Sequence, residues 1–130
     1  MFDFDACDQT ITVTGPGELK FPNNGLAHYP PLALCTFSLT ASTNEHILFS
    51  FNYLNVSTGD LLSVLDTNGR LISGTDPFSE TKPPEPTSHL SLGNVIDIIF
   101  ESDADWIGEG FEITYNTGKS QTADGFLPFK

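Results

Sequence analysis

The chain has 130 residues, enough for one domain that buries roughly two-thirds of the surface of its unfolded chain. A hydrophobic content of 38%, with 11 phenylalanines, argues against a disordered chain. Its 17 acidic and 5 basic residues give a net charge of −12, and a field of this sign repels nucleic acid and anionic membrane surfaces. Cations, basic protein patches or neutral glycans remain as partners, although acidity can also serve solubility alone.

Three segments of the N-terminal half alternate apolar and polar residues, as β-strands do. They are QTITVTG at 9–15, LCTFSLTA at 34–41 and HILFSFNYLNV at 46–56. The third places Phe51 and Tyr53 on one face. The intervening GPGELKFPNNG, 15–25, is rich in Gly, Pro and Asn and is predicted to form turns and extended connections.

The C-terminal half begins with DLLSVLDTNGRLISG, 60–74, a predicted hairpin whose turn is Asn68-Gly69. The following segment, 75–90, contains four prolines and is predicted to be an exposed loop. NVIDIIFES, 94–102, is predicted to be a deeply buried strand and GFEITYN, 110–116, a half-buried one. Short strands, frequent turns and no helical period indicate an all-β, antiparallel β-sandwich.

We divide the chain into an N-terminal extension at 1–6, a sandwich domain at 7–117 and a C-terminal tail at 118–130. We expect Met1 to begin a mature fragment, because the acidic opening MFDFDAC is unlike a signal peptide. The apolar Phe126, Leu127 and Phe129 of the tail either dock on the core or belong to a junction with another domain. No stretch reaches the ~20 apolar residues of a membrane span.

The chain has two cysteines, Cys7 and Cys35. They form either one bridge, which suits an oxidising extracellular compartment, or two buried thiols. A bridge would be worth about 3–4 kcal/mol in the chain-entropy model.

The order of these segments resembles a CUB domain, an extracellular β-sandwich module, in a divergent form with one disulfide. The resemblance is carried by Cys7, by GPGELKFPNNGLAHYPP before Cys35, by ILFSFNYLNVSTGD ending at Asp60, and by IIFESDADWIGEGFEITY. It implies a jelly-roll-like sandwich, a Cys7–Cys35 bridge and a secreted, non-catalytic module that binds a protein partner through loops at one edge. The oligomeric state stays open.

The family also suggests a calcium site, because many CUB domains bind Ca²⁺ through acidic side chains and a tyrosine of these motifs. The corresponding residues here are Asp60, Asp103 and Tyr29, and Asp105 is close enough in sequence to add a third carboxylate. Two features depart from the family: Ser57 stands where a Glu is usual, and the second disulfide is missing. The alternative is that these acidic residues form only a solvated loop. If calcium is bound, the same carboxylates are expected to accept a basic side chain of the partner.

Three further expectations concern ligands and modification. Trp106 and Tyr29 are candidate contacts for a partner, and if their rings are exposed they favour a rival function as a carbohydrate-binding module. The alternative for Trp106, which we favour, is that it covers the end of the sandwich. A second rival is a self-assembling matrix protein that binds calcium loosely.

Asn55 begins an N-glycosylation sequon, NVS. The sequence contains none of the G-x-S-x-G, P-loop or H-E-x-x-H motifs, and we predict no enzymatic activity.

Overall fold

The computed structural model describes residues 8–22, 28–85, 87–104 and 108–119. Eight β-strands account for the regular structure of these residues. In chain order they are β1 Gln9–Thr12, β2 Gly17–Phe21, β3 Leu34–Thr40, β4 Glu45–Asn55, β5 Leu61–Leu65, β6 His89–Leu90, β7 Val95–Glu101 and β8 Gly110–Lys119. The last strand continues two residues into the segment that the sequence assigns to the C-terminal tail.

The strands form two four-stranded sheets, ordered β1-β3-β7-β5 and β2-β8-β4-β6. All pairings are antiparallel except that of β1 with β3. The predicted all-β sandwich is therefore confirmed. The apolar run at 94–102 becomes β7, which lies between β3 and β5 and has a neighbour on each side.

The core lies between the sheets and is filled by alternate residues of each strand, as the period of two requires. Aromatic rings concentrate in it: Phe21 packs against Phe37 at 5.6 Å, Phe100 at 5.2 Å and Phe111 at 5.9 Å between ring centroids. All four of these side chains are fully buried. This cluster continues to Tyr29, whose ring lies 4.7 Å from that of Phe100.

The prediction that 15–25 holds only turns and connections was wrong. Residues 17–21 form β2, which pairs with β8, and Leu19 and Phe21 point into the core. The glycines and Pro22 flank these five residues without interrupting them. The alternation within β2 was too short to outweigh the flanking turn residues.

A β-bulge in β4 corrects a second expectation. The register with β8 shifts between Phe51 and Tyr53, so that Phe51 faces Ile113 and Leu54, instead of Tyr53, carries the apolar alternation onward. The inserted residue changes which face the following side chains occupy, and a strict period of two cannot anticipate this. After the bulge, β4 ends at Asn55, and the next residue, Val56, is buried.

The hairpin turn at Asn68-Gly69 is present, with Gly69 at φ +81° and the Asp66 N–H bonded to the Arg70 carbonyl at 2.8 Å. Its second arm is reduced to a bridge between Leu65 and Leu71. The proline-rich segment is anchored rather than wholly exposed, because Phe78 is buried and pairs with Leu62.

Beyond this anchor the second sheet has a partly open edge. β6 pairs with β4 only at Leu48 and Phe49, and no other described strand flanks this side of β4. The proline-rich segment runs beside the open part and helps to line a cavity of about 310 Å³.

Candidate functional site

Three strands bring the predicted site residues together. β7 is antiparallel to both of its neighbours, β3 and β5, so the end of β7 lies beside the starts of the other two. Tyr29 precedes β3, Asp60 immediately precedes β5 and Asp103 follows β7. Tyr29 lies 31 positions before Asp60 in the sequence and Asp103 lies 43 positions after it, yet all three meet at one edge of the sandwich.

Asp60 is the centre of this edge and is fully buried. One of its carboxylate oxygens, Oδ2, accepts a hydrogen bond from the Tyr29 hydroxyl, and the other, Oδ1, accepts one of 2.9 Å from the Asp103 N–H. The Tyr29 hydroxyl accepts a further bond of 3.0 Å from the Ser57 N–H. The carboxylate is therefore held in one orientation.

Asp103 lies against the residue that precedes Asp60. A β carbon at Gly59 would overlap the Asp103 carboxylate, and Gly59 has φ +92°, a conformation that other residues rarely adopt. The backbone conformation therefore favours glycine at this position, and a larger residue would also displace the Asp103 carboxylate. The two carboxylates belong to one small region of the surface.

Asp60 forms no ion pair with a Lys, Arg or His side chain of the described residues. Within the described ranges, the Lys, Arg and His side chains make one ion pair, between His89 and Asp66 at 2.9 Å, and none reaches Asp60. Burial and the hydrogen bond to Asp60 raise the pKa of Tyr29 to about 12, so its hydroxyl stays protonated and donates to the carboxylate at neutral pH. Among the residues that the structure describes, the Asp60 side chain is contacted by the hydrogen-bond donors of Tyr29 and Asp103 and by no cationic side chain.

A second set of hydrogen bonds fixes the loop at 30–33 to the end of β7. The Ser102 hydroxyl donates to the Pro30 carbonyl at 2.8 Å and accepts from the Ala33 N–H at 2.8 Å. The Leu32 N–H donates to the Asp103 carbonyl at 3.0 Å. His28, which directly precedes Tyr29, is also held in place, because its Nδ1 lies 3.3 Å from the Gly108 carbonyl.

Several site residues were not identified from the sequence. Gly59 and Ser102 were read only as neighbours of Asp60 and Asp103, although they stand in the motifs STGD and FESD. Ser57, expected to leave a gap where the family has Glu, contributes its backbone: its carbonyl accepts from the Asp60 N–H at 3.0 Å.

The expectation that Tyr29 presents its ring to a partner or glycan is corrected. The side chain is fully buried, packed on Phe100, and only its hydroxyl reaches the site. Trp106 and Asp105 lie outside the described residues. Asn55 is exposed at the end of β4, and its amide donates to Glu109 at 3.4 Å.

Two other predictions concern metal ligands and the disulfide. In the part of the chain that the structure describes, no three His, Cys, Asp or Glu side chains form a metal-binding group. Cys35 is fully buried and is not a free thiol. Cys7 lies outside the described residues, so its pairing with Cys35 stays a prediction.

The fold is shared with solved structures of other proteins. The full extracellular region of zebrafish Gpr126/Adgrg6 matches with a TM-score of 0.71 and 21% identity, covering 88% of this chain and 15% of that one. The MASP-1 CUB2 domain, in a crystal structure bound to Ca²⁺, matches with a TM-score of 0.63 and 14% identity over 85% of this chain and 99% of that one. These similarities define the class of the molecule as a CUB-type sandwich.

The chain belongs to the CUB domain family, whose sequence model matches residues 7–115. Zebrafish (Danio rerio) neuropilin-1a is 29% identical over 130 residues, which covers 89% of this chain and 13% of that protein. The chain therefore spans a small part of the length of this curated relative. CUB domains are generally extracellular protein-interaction modules and are typically non-catalytic. Of the described residues, none belongs to a helix that could cross a membrane.

Proposed function

We propose that this chain is a secreted, non-catalytic binding module that recognises a basic side chain of a protein partner at the edge formed by Asp60 and Asp103. One observation carries the proposal. Asp60 is fully buried and oriented by Tyr29, yet no described cationic side chain pairs with it. A carboxylate without a cation is costly to bury, so a residue kept in this state is a candidate for binding a charge from outside.

Calcium is the proposed cofactor of this edge. Ca²⁺ prefers six to eight oxygen ligands, usually with several carboxylates among them. Asp60 and Asp103 would hold it, Tyr29 would orient Asp60, and Asp105 would supply a third carboxylate. When bound, the ion supplies the positive charge that lets two or three acidic side chains stay close together.

The described residues fit calcium in chemistry but provide few ligands. They contribute two carboxylates and a hydroxyl, and Ser57 adds no carboxylate in place of the usual Glu. Backbone carbonyls and water would have to complete the shell. We therefore expect an affinity in the weak range of extracellular modules, with a Kd of about 10⁻⁴–10⁻³ M.

The comparisons support an extracellular setting and a calcium-dependent role. The MASP-1 CUB2 domain carries Ca²⁺ in its own structure, and the Gpr126/Adgrg6 match is an extracellular region. Secretion would also allow the proposed Cys7–Cys35 bridge and glycosylation of the exposed Asn55. A glycan at Asn55 would border the site, because this residue contacts Glu109 beside Gly108.

Titration followed by NMR tests the proposed function directly. The probe is the peptide acetyl-Gly-Ser-Lys-Ser-Gly-amide, added to ¹⁵N-labelled protein in about 2 mM calcium or in EDTA. We expect shift changes at the backbone of residues 57–60 and 101–104 only with calcium. A matched peptide with Gln in place of Lys should leave the spectrum unchanged.

Two variants give the control. Asp103→Asn should abolish the calcium-dependent shifts, whereas Asp76→Asn, an exposed aspartate in the connection between β5 and β6, should keep them. Peptide shifts of equal size in EDTA would remove calcium from the proposal. Shifts elsewhere on the surface, or unaffected by Asp103→Asn, would place the binding site away from this edge.

A further inference from the structure

Two exposed leucines border the acidic pair. Leu32 is 74% exposed and Leu34 is 64% exposed, and the third large exposed hydrophobic side chain among the described residues, Leu92, belongs to the turn between β6 and β7. Scattered apolar side chains on a surface need no explanation, but two together beside a binding site do.

The position of Leu34 extends this apolar surface along the sheet. Leu34 and Leu61 both pair with Glu101, one from each side, so the three side chains share the outer face of the sheet. Asp60 immediately precedes Leu61 and points inward. We name Leu32, Leu34 and Leu61 the leucine rim. Leu34 and Leu61 of the rim flank Glu101, and the rim extends to the acidic pair, Asp60 and Asp103.

Leu32 is fixed in place and not merely exposed. It has φ +57°, a left-handed conformation that is unfavourable for a bulky side chain. The bond from its N–H to the Asp103 carbonyl holds it there, and the Ser102 hydroxyl ties down Pro30 and Ala33 on either side. The same backbone that carries Asp103 therefore presents Leu32 to solvent. A preorganised apolar side chain loses little conformational entropy on binding.

We propose that the leucine rim is the apolar half of the partner-binding surface, and that it selects a protein partner whose Lys or Arg is flanked by aliphatic side chains. The argument is charge complementarity: Asp60, Asp103 and Glu101 attract the basic group, while the rim excludes water from it and buries its neighbours. A partner with an isolated, fully hydrated lysine would leave the rim uncovered. This inference rests on the proposed function of the acidic pair, since it assigns the specificity of the same site.

The test compares two peptides in calcium, acetyl-Gly-Leu-Lys-Leu-Gly-amide and the serine-flanked peptide used above. Burial of one or two leucine side chains against the rim should tighten binding about tenfold. Leu32→Asn and Leu34→Thr should remove this difference. Asparagine tolerates the left-handed conformation and threonine suits a strand, so melting temperatures should stay unchanged. Leu92→Asn, equally exposed but distant in the fold, is the matched control and should keep the tenfold preference.

The outcomes separate the rim from the acidic pair. Equal affinity of the two peptides, both lost in Asp103→Asn, would overturn the rim and leave the proposed function standing. Binding of the leucine-flanked peptide that is lost in Leu32→Asn but indifferent to Asp103→Asn and calcium would support the rim and overturn the acidic site. Self-association of the protein that is abolished by Leu32→Asn, with no peptide preference, would assign the rim to a second copy of the chain and overturn the proposal.

Discussion

The Tyr29 hydroxyl donates to Asp60 and accepts from Ser57, so it links three segments through one buried oxygen. Replacing it with Phe leaves a buried carboxylate oxygen without its donor. We expect Tyr29→Phe to lower the free energy of unfolding by about 1–3 kcal/mol. Urea denaturation at pH 7 measures it. Tyr115→Phe is the control, because its hydroxyl has no hydrogen-bond partner in the part of the chain that the structure describes.

The pH dependence of this residue has a definite sign. The pKa of Tyr29 is about 12 in the folded protein, against about 10 when unfolded. The stabilisation it brings is complete below pH 10 and is lost as the pH rises from about 10 to about 12. Tyr29→Phe should therefore show a shallower loss of stability over this range. Identical alkaline profiles for the two proteins would contradict the buried hydrogen bond.

Single residues were predictable where a motif contained them, and less so where only packing places them. Asp60, Asp103 and Tyr29 stand in ordered motifs, which is why they were identified. Gly59 and Ser102 stand in the same motifs, but their roles come from contacts between distant segments, and the motif alone does not show those contacts. Tyr29 is buried because it packs on Phe100, 71 positions away in the sequence. The local sequence HYPP, 28–31, does not indicate this contact.

At the scale of elements, Asp66 joins the end of β5 to the turn between β6 and β7. It is 8% exposed and accepts hydrogen bonds from the Thr67 N–H, the Leu92 N–H and His89 Nε2, at 2.6, 2.8 and 2.9 Å. Burial opposes its ionisation, but these hydrogen bonds outweigh it and lower its pKa. Asp66 therefore stabilises the folded state in its charged form.

Asp66→Asn should weaken this junction, because one oxygen that accepts hydrogen bonds becomes an amide that donates them. We expect a loss of about 2 kcal/mol in the free energy of unfolding at pH 7. The pKa of Asp66 is lowered on folding, so its stabilisation is present above pH ~4 and lost as the pH falls further. The variant should lose less stability than the parent between pH 5 and about 3.

Urea denaturation across this pH range is the measurement, with Asp76→Asn as the control. Asp76 is exposed, and in the hydrogen bond from Ser73 it accepts through its backbone carbonyl. Its replacement should leave both the stability and the pH profile unchanged. An Asp66→Asn protein as stable as the parent at pH 7 would show that the three hydrogen bonds add nothing to folding.

Strands with a clear pattern of their own, the alternating β3 and β8 and the apolar run of β7, were predicted near their observed bounds. β2 was missed because turn-forming residues flank a strand of five residues. The second arm of the hairpin was overestimated, since one bridge at Leu71 replaces the expected strand. For β2, pairing with the distant strand β8 decided the outcome, and a propensity read along the chain does not contain that information.

For the whole molecule, the proposed Cys7–Cys35 bridge would tie the N-terminus to β3. It would close a loop of about 28 residues and contribute about 3–4 kcal/mol in the chain-entropy model. We expect Cys7→Ser to lower the melting temperature substantially, and the intact mass of the parent to be two hydrogens below that of the reduced chain. Melting in reducing agent should bring the parent to the level of the variant. Two titratable thiols in the native parent would contradict the bridge.

The partly open edge of β4 is a place where a strand of another chain could add to the second sheet. An unpaired strand edge is a template on which strands of other chains can add, and this begins aggregation. Here Pro83 and Pro84 line the cavity beside Phe51, together with the charged Lys82 and Glu85. Proline offers no N–H to an incoming strand, and charged side chains deter one. The proline-rich segment therefore disfavours the addition of a strand from another chain at the open part of the β4 edge.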